Sequence, residues 1–170
     1  MNQNIKTRAR AMPVESEVGL QAIEAFFLHF FTNVNLTAAA SEALGPEGFS
    51  MTRHRVLGFA TLTPGLTVGD MLRILRVSHQ NLNEPLRRLI KEGYLVAKID
   101  DEDRRQKRLF ATPKGARLYR KVQSFQVARI ERAFAAAGPD ATRGFFEVHR
   151  HLVEDVDLVW IDKIARASAI

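Results

Sequence analysis

Two groups of side chains in this sequence have the types and the spacing to do chemistry. In KIDDEDRRQKRL, residues 98–109, four acids (Asp100, Asp101, Glu102, Asp103) run directly into Arg104 and Arg105 and, after Gln106, into Lys107 and Arg108. Upstream, SHQNLNEPLRRLIKEGY sets Gln80, Asn83, Arg87 and Lys91 three or four residues apart. On a helix their amide, guanidinium and ammonium groups project together, while Leu82, Leu86, Leu89 and Ile90 line another side. Groups of these kinds neutralise anions and form directed hydrogen bonds, which is the chemistry of gripping a nucleic acid.

The charge balance points the same way. The chain carries a formal net charge of +6 and a pI near 10.1. Residues 76–120 hold twelve Lys/Arg and six Asp/Glu, the whole excess, and the rest of the chain balances at thirteen of each sign. Basicity concentrated in one segment is the electrostatic footprint that a polyanion requires.

Composition bounds the remainder. With 170 residues, 46% of them hydrophobic, the chain can bury one sizeable core and is not disordered as a whole. It has no cysteine, which excludes disulfides, thiol redox chemistry and cysteine zinc sites. The start, MNQNIKTRARAMPVES, is basic without an apolar h-region, and no window reaches the roughly 18 to 20 apolar residues of a membrane span. A soluble, cytoplasmic protein without a membrane partner is expected.

The elements that must position the charged groups are legible from periodicity. After a basic, flexible leader (residues 1–14), Leu20, Ile23, Phe26, Phe27, Phe30, Phe31 and Val34 predict a long amphipathic helix over about 15–42, ending near Gly45-Pro46. A short helix follows over about 52–61. Thr67, with Asp70 three residues on, opens the next, and Ser78 caps the helix that carries Gln80 and Asn83. Two short helices joined by a tight turn, the second polar and basic outside, form a helix-turn-helix pattern. Pro85 inside the second predicts a kink. The runs 94–99 and 107–112, with the charged tip between them, predict a hairpin. Thr112-Pro113 starts a helix to about residue 137, Gly138-Pro139 stops it, and a last helix from Asp140 carries Phe145 to Ile164.

The order of elements and the wing residues resemble the MarR family of bacterial transcription regulators. The family's Asp-x-Arg at the wing tip, followed by a strand ending Leu-Thr-x-x-Gly, stands here as DRRQKRLFATPKG, with Asp103, Arg105, Thr112 and Gly115 matching and Ala111 in place of the usual Leu. Similarity is dense from about 52 to 115; the outer helices match in length and pattern. The resemblance implies a mainly α fold with a small β-hairpin wing, a winged helix-turn-helix with long N- and C-terminal dimerisation helices. Residues 15–45 would form the N-terminal dimerisation helix, 46–115 the DNA-binding lobe and 116–170 the C-terminal dimerisation helices. It also implies a homodimer on a palindromic operator in double-stranded DNA, acting as a repressor.

Under that resemblance, Gln80 and Asn83 pair with adenine and Arg87 with guanine in the major groove, since amide and guanidinium groups match those edges. Ser78, His79, Arg88 and Lys91 hold the phosphate backbone. Arg105, with Arg104 beside it, enters the minor groove, and Asp103 orients an arginine. Members commonly respond to small aromatic or phenolic ligands, and Phe27, Phe30, Arg53, His54 and Arg55 are the residues that would shape such a pocket. No cofactor is expected. Glu147, His151 and Asp155 fall at i, i+4 and i+8, ligand-like spacing that reads as a solvated helix face, so no metal site is assigned. No Gly-rich phosphate loop or nucleophile elbow points to an enzyme. The competing expectation is a basic architectural or RNA-binding protein with little sequence preference and no effector.

Overall fold

The structure is a computed structural model, and it describes residues 16–44 and 49–168; the basic leader expected over 1–14 and the Gly45-Pro46 breaker lie outside them. The elements in chain order are α1 (Glu17–Leu44), α2 (Met51–Leu62), β1 (Leu66–Thr67), α3 (Val68–Leu75), α4 (His79–Lys91), β2 (Leu95–Ile99), β3 (Lys107–Ala111), α5 (Pro113–Leu152) and α6 (Asp155–Ser168). Among the described residues, no helix is long and apolar enough to cross a membrane.

The chain divides within α1 into two units, one up to Thr37 and one from Ala38. Its described part is a single helix, started by Ser16, whose Oγ accepts the Gly19 N–H at 3.0 Å. Its apolar stripe is unspent: Phe26, Phe27, Phe30 and Phe31 expose 50–66% of their surface in the single chain.

The second unit holds the core. Val56, Leu57 and Ala60 of α2, Met71 of α3, Leu82 and Leu89 of α4, Leu66, Leu95 and Leu109 of the strands and Tyr119 of α5 form one buried cluster. Each large apolar side chain fully buried there contributes about 1.5–3 kcal/mol. Three short helices and a sheet thereby converge on one set of leucines. Thr67 opens α3 with a reciprocal capping box, its Oγ1 accepting the Asp70 N–H and its own N–H reaching the Asp70 carboxylate, both at 3.0 Å. Burial would raise the Asp70 carboxyl, but hydrogen bonds from the Thr67 backbone and side chain and from Arg73 hold it below its ordinary value.

A buried ion pair joins α2 to the end of α4. Arg53, its side chain 3% exposed, binds the Glu92 carboxylate, and the Phe49 ring lies 4.2 Å from the guanidinium carbon. Glu92 also receives Arg88 from its own helix at 3.4 Å. A carboxylate at a helix C-terminus is opposed by the helix dipole, and two guanidinium groups offset that here.

The sheet is larger than the expected hairpin by one strand. β1 joins β3 in the antiparallel order β1-β3-β2, with Leu66 opposite Leu109 and Leu95 opposite Ala111. Two residues are too short a run to register as a strand, and Gly65 (φ 88°) makes the turn that lets its N–H reach the Leu109 carbonyl at 2.9 Å. The expected helix does continue through Pro85, which is buried. A second departure corrects the C-terminal helices. The break at Gly138 (φ 85°, ψ 170°) is present inside α5, but the helix after it does not run on to Ile164: it ends at Leu152, and α6 restarts at Asp155. Glu147, His151 and Asp155 therefore do not share one helix face, and no group of three potential metal ligands converges among the described residues.

The start of α5 is fixed to the end of α4 by a close approach. Thr112 Oγ1 accepts the Gly115 N–H at 3.1 Å and donates to the Gly93 carbonyl at 2.7 Å, while the Thr112 N–H donates to the Tyr94 carbonyl at 3.0 Å. A Cβ on Gly115 would stand 2.1 Å from the Tyr94 carbonyl oxygen. The Thr-x-x-Gly spacing is thus a packing requirement: the hydroxyl clasps the turn and the missing side chain lets the helix reach it. Gly115→Ala is expected to lower stability by about 3 kcal/mol or more, at the upper end of overpacking, because the obstacle is backbone that cannot rotate away; a denaturant midpoint within error of wild type would contradict it.

Candidate nucleic-acid interface

The buried face of α4 decides where its polar face points. Leu82, Pro85 and Leu89 are buried, which turns His79, Gln80, Asn83 and Arg87 outward together. Ser78 caps the helix, its Oγ accepting the Asn81 N–H at 3.3 Å, and stands at the exposed N-terminal end beside His79. Gln80, Asn83 and Arg87 line one cleft of about 540 Å³ between α4 and the wing, with Ala97 and Lys107 on its far wall. The three side chains assigned to base edges are therefore gathered in one place, and Lys107, which was not among the expected contacts, lines the same cleft. Its sequence signal is the basic run 104–108, and the register that brings it there, opposite Ile99, is set by the hairpin. The two basic residues further along differ from each other. Lys91 is exposed, whereas Arg88 sits between Glu84 at 3.6 Å and Glu92 at 3.4 Å.

At the wing tip the charge blocks separate into distinct tasks. Asp100 is almost fully buried, 5% exposed, and binds the Arg108 Nε at 2.6 Å while accepting the Glu102 N–H at 2.9 Å. Arg108 in turn reaches the Gly65 carbonyl at 3.4 Å, so the pair joins the tip to the turn before β1. The Glu102 N–H and then the Arg108 guanidinium hold the Asp100 carboxyl below its ordinary value despite burial. Asp103 braces the turn itself: its carboxylate accepts the Gln106 side chain and the Arg105 N–H, each at 3.0 Å, and is lowered by those two bonds. The Arg105 Nε lies 3.5 Å from the same carboxylate, and its side chain is 95% exposed. Arg104, Asp101 and Glu102 are exposed. The Asp100–Arg108 pair was the part of the tip that residue types alone did not reveal. It depends on register, since Arg108 opposes Lys98 and so lies diagonally across from Asp100 on the same face.

The residues assigned to an effector pocket divide among three settings. Phe27 and Phe30 belong to the first unit and are exposed there. Arg53 is the buried partner of Glu92. His54 and Arg55 line a cavity of about 300 Å³ with Gly58, Phe59, Leu62, Tyr119, Gln123 and Ile164. His54 is 8% exposed, its ring 5.6 Å from that of Tyr119, and its Nε2 has no hydrogen-bond partner among the described residues. Burial, assisted by Arg55, pushes the His54 imidazole below its ordinary 6.5, and burial alone pushes the Tyr119 phenol up.

The sequence model of the MarR family matches residues 47–106. Over 119 residues the chain is 36% identical to the HTH-type transcriptional regulator PetP of Rhodobacter capsulatus, a match that covers 70% of this chain and 72% of that one. Among solved structures, the fold is similar to a MarR family transcriptional regulator from Silicibacter pomeroyi, with a TM-score of 0.68 at 21% identity over 84% of this chain and 94% of that one. It is also similar to Streptococcus pneumoniae FabT in complex with DNA, with a TM-score of 0.64 at 21% identity over 78% and 96%. At such identities the two structures speak to the fold alone.

The depressed His54 imidazole has a consequence for stability. The unfolded chain binds a proton at the ordinary 6.5 and the folded chain only at lower pH, so the unfolded state gains protons first on acidification. The contribution is intact above 6.5 and is lost as pH falls below it toward the folded value. The lowered carboxyls of Asp70, Asp100 and Asp103 act only below their ordinary 3.8 and leave that window clear. The melting temperature should therefore fall between about pH 7 and pH 5, and less steeply in His54→Leu; parallel slopes in the two proteins would show that His54 is not the group responsible.

Proposed function

This chain belongs to the MarR family of transcriptional regulators, and on that premise we propose that it binds a palindromic operator as a homodimer and represses transcription, with a small aromatic or phenolic ligand relieving the repression. Members of the family are DNA-binding regulators and not enzymes, so the chain is a DNA-binding transcriptional regulator. The cleft that gathers Gln80, Asn83 and Arg87 between α4 and the wing carries most weight for the rest. An α-helix fits the major groove, where an amide matches the donor and acceptor pair of adenine and a guanidinium matches the two acceptors of guanine. Ser78, His79 and Lys91 stand at the ends and flank of the same face, suited to phosphate oxygens that set register. Arg88 joins them only by leaving its two glutamates.

The wing supplies the second contact. Asp103 shapes the turn from which Arg105 projects, paired with that carboxylate yet almost wholly exposed, and Arg104 is exposed beside it. A guanidinium so placed suits a narrow minor groove, whose potential is most negative in A·T-rich stretches. Asp101 and Glu102 are exposed at the tip as well, and they oppose phosphate unless turned away from it.

Dimerisation is supported by surfaces that a lone chain leaves wet. Besides the Phe stripe of α1, Phe146, Val148, Leu152, Val156 and Val159 on α5 and α6 expose more than half of their surface. Large apolar side chains exposed in such number are suited to burial against a second chain. A twofold axis would set the two recognition helices about one DNA turn apart, roughly 34 to 36 Å, and hence read an inverted repeat. For the ligand, the cavity beside His54 and Arg55 offers a buried imidazole nitrogen and a guanidinium against the Tyr119 and Phe59 rings, the mixture that an aromatic acid or phenol would use.

Selection of bound sequences from a random pool of duplex DNA should return an inverted repeat; recovery without any consensus would favour the architectural alternative. Arg87→Ala and Arg105→Ala should each weaken binding to the selected site by about one to two orders of magnitude, the range of a lost guanidinium contact, without changing the melting temperature. Wild-type affinity in both, at physiological ionic strength, would remove these residues from the DNA surface.

A further inference from the structure

One interaction of the helix-turn-helix lies away from the DNA-facing side. Arg76 ends α3 in the left-handed conformation (φ 50°, ψ 41°), and among the described residues no other non-glycine has a positive φ. Glycine or asparagine is the usual occupant of that position, because a Cβ is crowded there. The arginine is held by a contact across 81 residues of sequence: its guanidinium meets the Asp157 carboxylate of α6 at 2.6 Å. Glu154, at the end of the α5–α6 connection, adds a second negative charge nearby.

The surroundings make this contact a joint between two elements with different tasks. Asp157 and Trp160 are three residues apart on one face of α6, and Trp160 packs against the core cluster of the DNA-binding lobe. Beside that face, Val156 and Val159 of α6 are exposed. On the other partner, Arg76 lies two residues before Ser78, the cap of α4, and four before Gln80. The ion pair is thus the polar tie at the end of α6 nearest the recognition helix. Asp157 therefore holds a residue that is confined to a narrow backbone conformation and lies two positions before the cap of α4.

We propose that Asp157 is a positioning residue for DNA recognition: through Arg76 it ties α6 to the turn before the recognition helix and so sets the spacing at which two recognition helices meet DNA. This rests on the dimeric operator-binding reading above. A competing assignment makes Arg76 a phosphate contact in its own right, and the two assignments differ in sign at Asp157. A carboxylate that positions Arg76 is needed for binding, whereas one that merely competes with phosphate hinders it.

The test uses the full-length protein, the operator selected from random DNA, the same operator with one base pair added or removed between its half-sites, and unrelated duplex DNA. The variants are Asp157→Asn, Arg76→Gly, the two combined, and the exchange Arg76→Asp with Asp157→Arg. Asp157→Asn and Arg76→Gly should each weaken operator binding by about five-fold, the size of an exposed ion pair. They should flatten the preference among spacings, leave binding to unrelated DNA nearly unchanged, and be no worse combined. Arg76→Gly removes the crowded Cβ as well as the tie, so its melting temperature should match or exceed that of wild type while its affinity still falls, a split that a stability defect does not produce. The charge exchange should recover the spacing preference. Wild-type affinity and spacing preference in Asp157→Asn would overturn the proposal, and tighter binding in it would assign Arg76 to the phosphates. A wild type that selects no inverted repeat would instead bring down the operator reading, and this inference with it.

Discussion

The close approach of Gly115 to the Tyr94 carbonyl is the constraint on which the rest of the lobe depends. Tyr94 stands between the end of α4 and the first residue of β2, so whatever fixes it fixes both the recognition helix and the root of the wing. Thr112 bonds the carbonyls of Gly93 and Tyr94, and the Lys114 ammonium reaches the Glu92 carbonyl at 2.8 Å while lying 4.4 Å from the Tyr94 ring. Three consecutive carbonyls at the end of α4 are therefore satisfied by the first turn of α5. The last carbonyls of α4 are met in turn from the same segment, Arg88 by the Glu92 N–H, Leu89 by that of Tyr94 and Ile90 by that of Gly93. The start of α5 thus holds the turn that closes α4.

Charge is then distributed around this frame in pairs with separate purposes. Arg53 with Glu92 and Arg76 with Asp157 link elements distant in sequence, Arg108 braces the hairpin through Asp100 and reaches the Gly65 carbonyl, and Arg104 and Arg105 stand without that kind of structural employment. The abrupt blocks of acid and base in KIDDEDRRQKRL follow from this division. Asp100 belongs to the base of the tip and Asp103 to its turn, so each arginine beyond them projects from a braced backbone. Bracing before contact is favourable for recognition, since a guanidinium already in place loses less freedom on binding.

The parts legible in the sequence were those set by local chemistry. Ser78 and Thr112 cap α4 and α5, Thr67 and Asp70 form a reciprocal box at α3, and the Leu82, Leu86, Leu89 spacing turned Gln80, Asn83 and Arg87 to one side. What escaped depended on partners far along the chain. β1 exists because Gly65 brings two residues alongside Leu109, and nothing within those two residues announces it. The break at Val153 and Glu154 carries neither glycine nor proline, so an apolar period that resumes after it read as one helix. Arg53, expected to shape an effector pocket, is paired inside the lobe with Glu92, a residue 39 positions later. Its charge type suggested a ligand, whereas its environment makes it a strut.

Gly138 bears on how such a chain changes over generations. Its φ of 85° with ψ of 170° is open almost solely to glycine, and a Cβ built there meets no atom within 4 Å. The requirement is therefore one of backbone angle and not of space, even though the segments it joins meet again, the Phe134 ring lying 5.4 Å from that of Phe145 and 5.6 Å from that of Phe146. Any other residue there would be refused by the backbone alone, so the path that brings Phe145 and Phe146 to Phe134 is inherited only with the glycine.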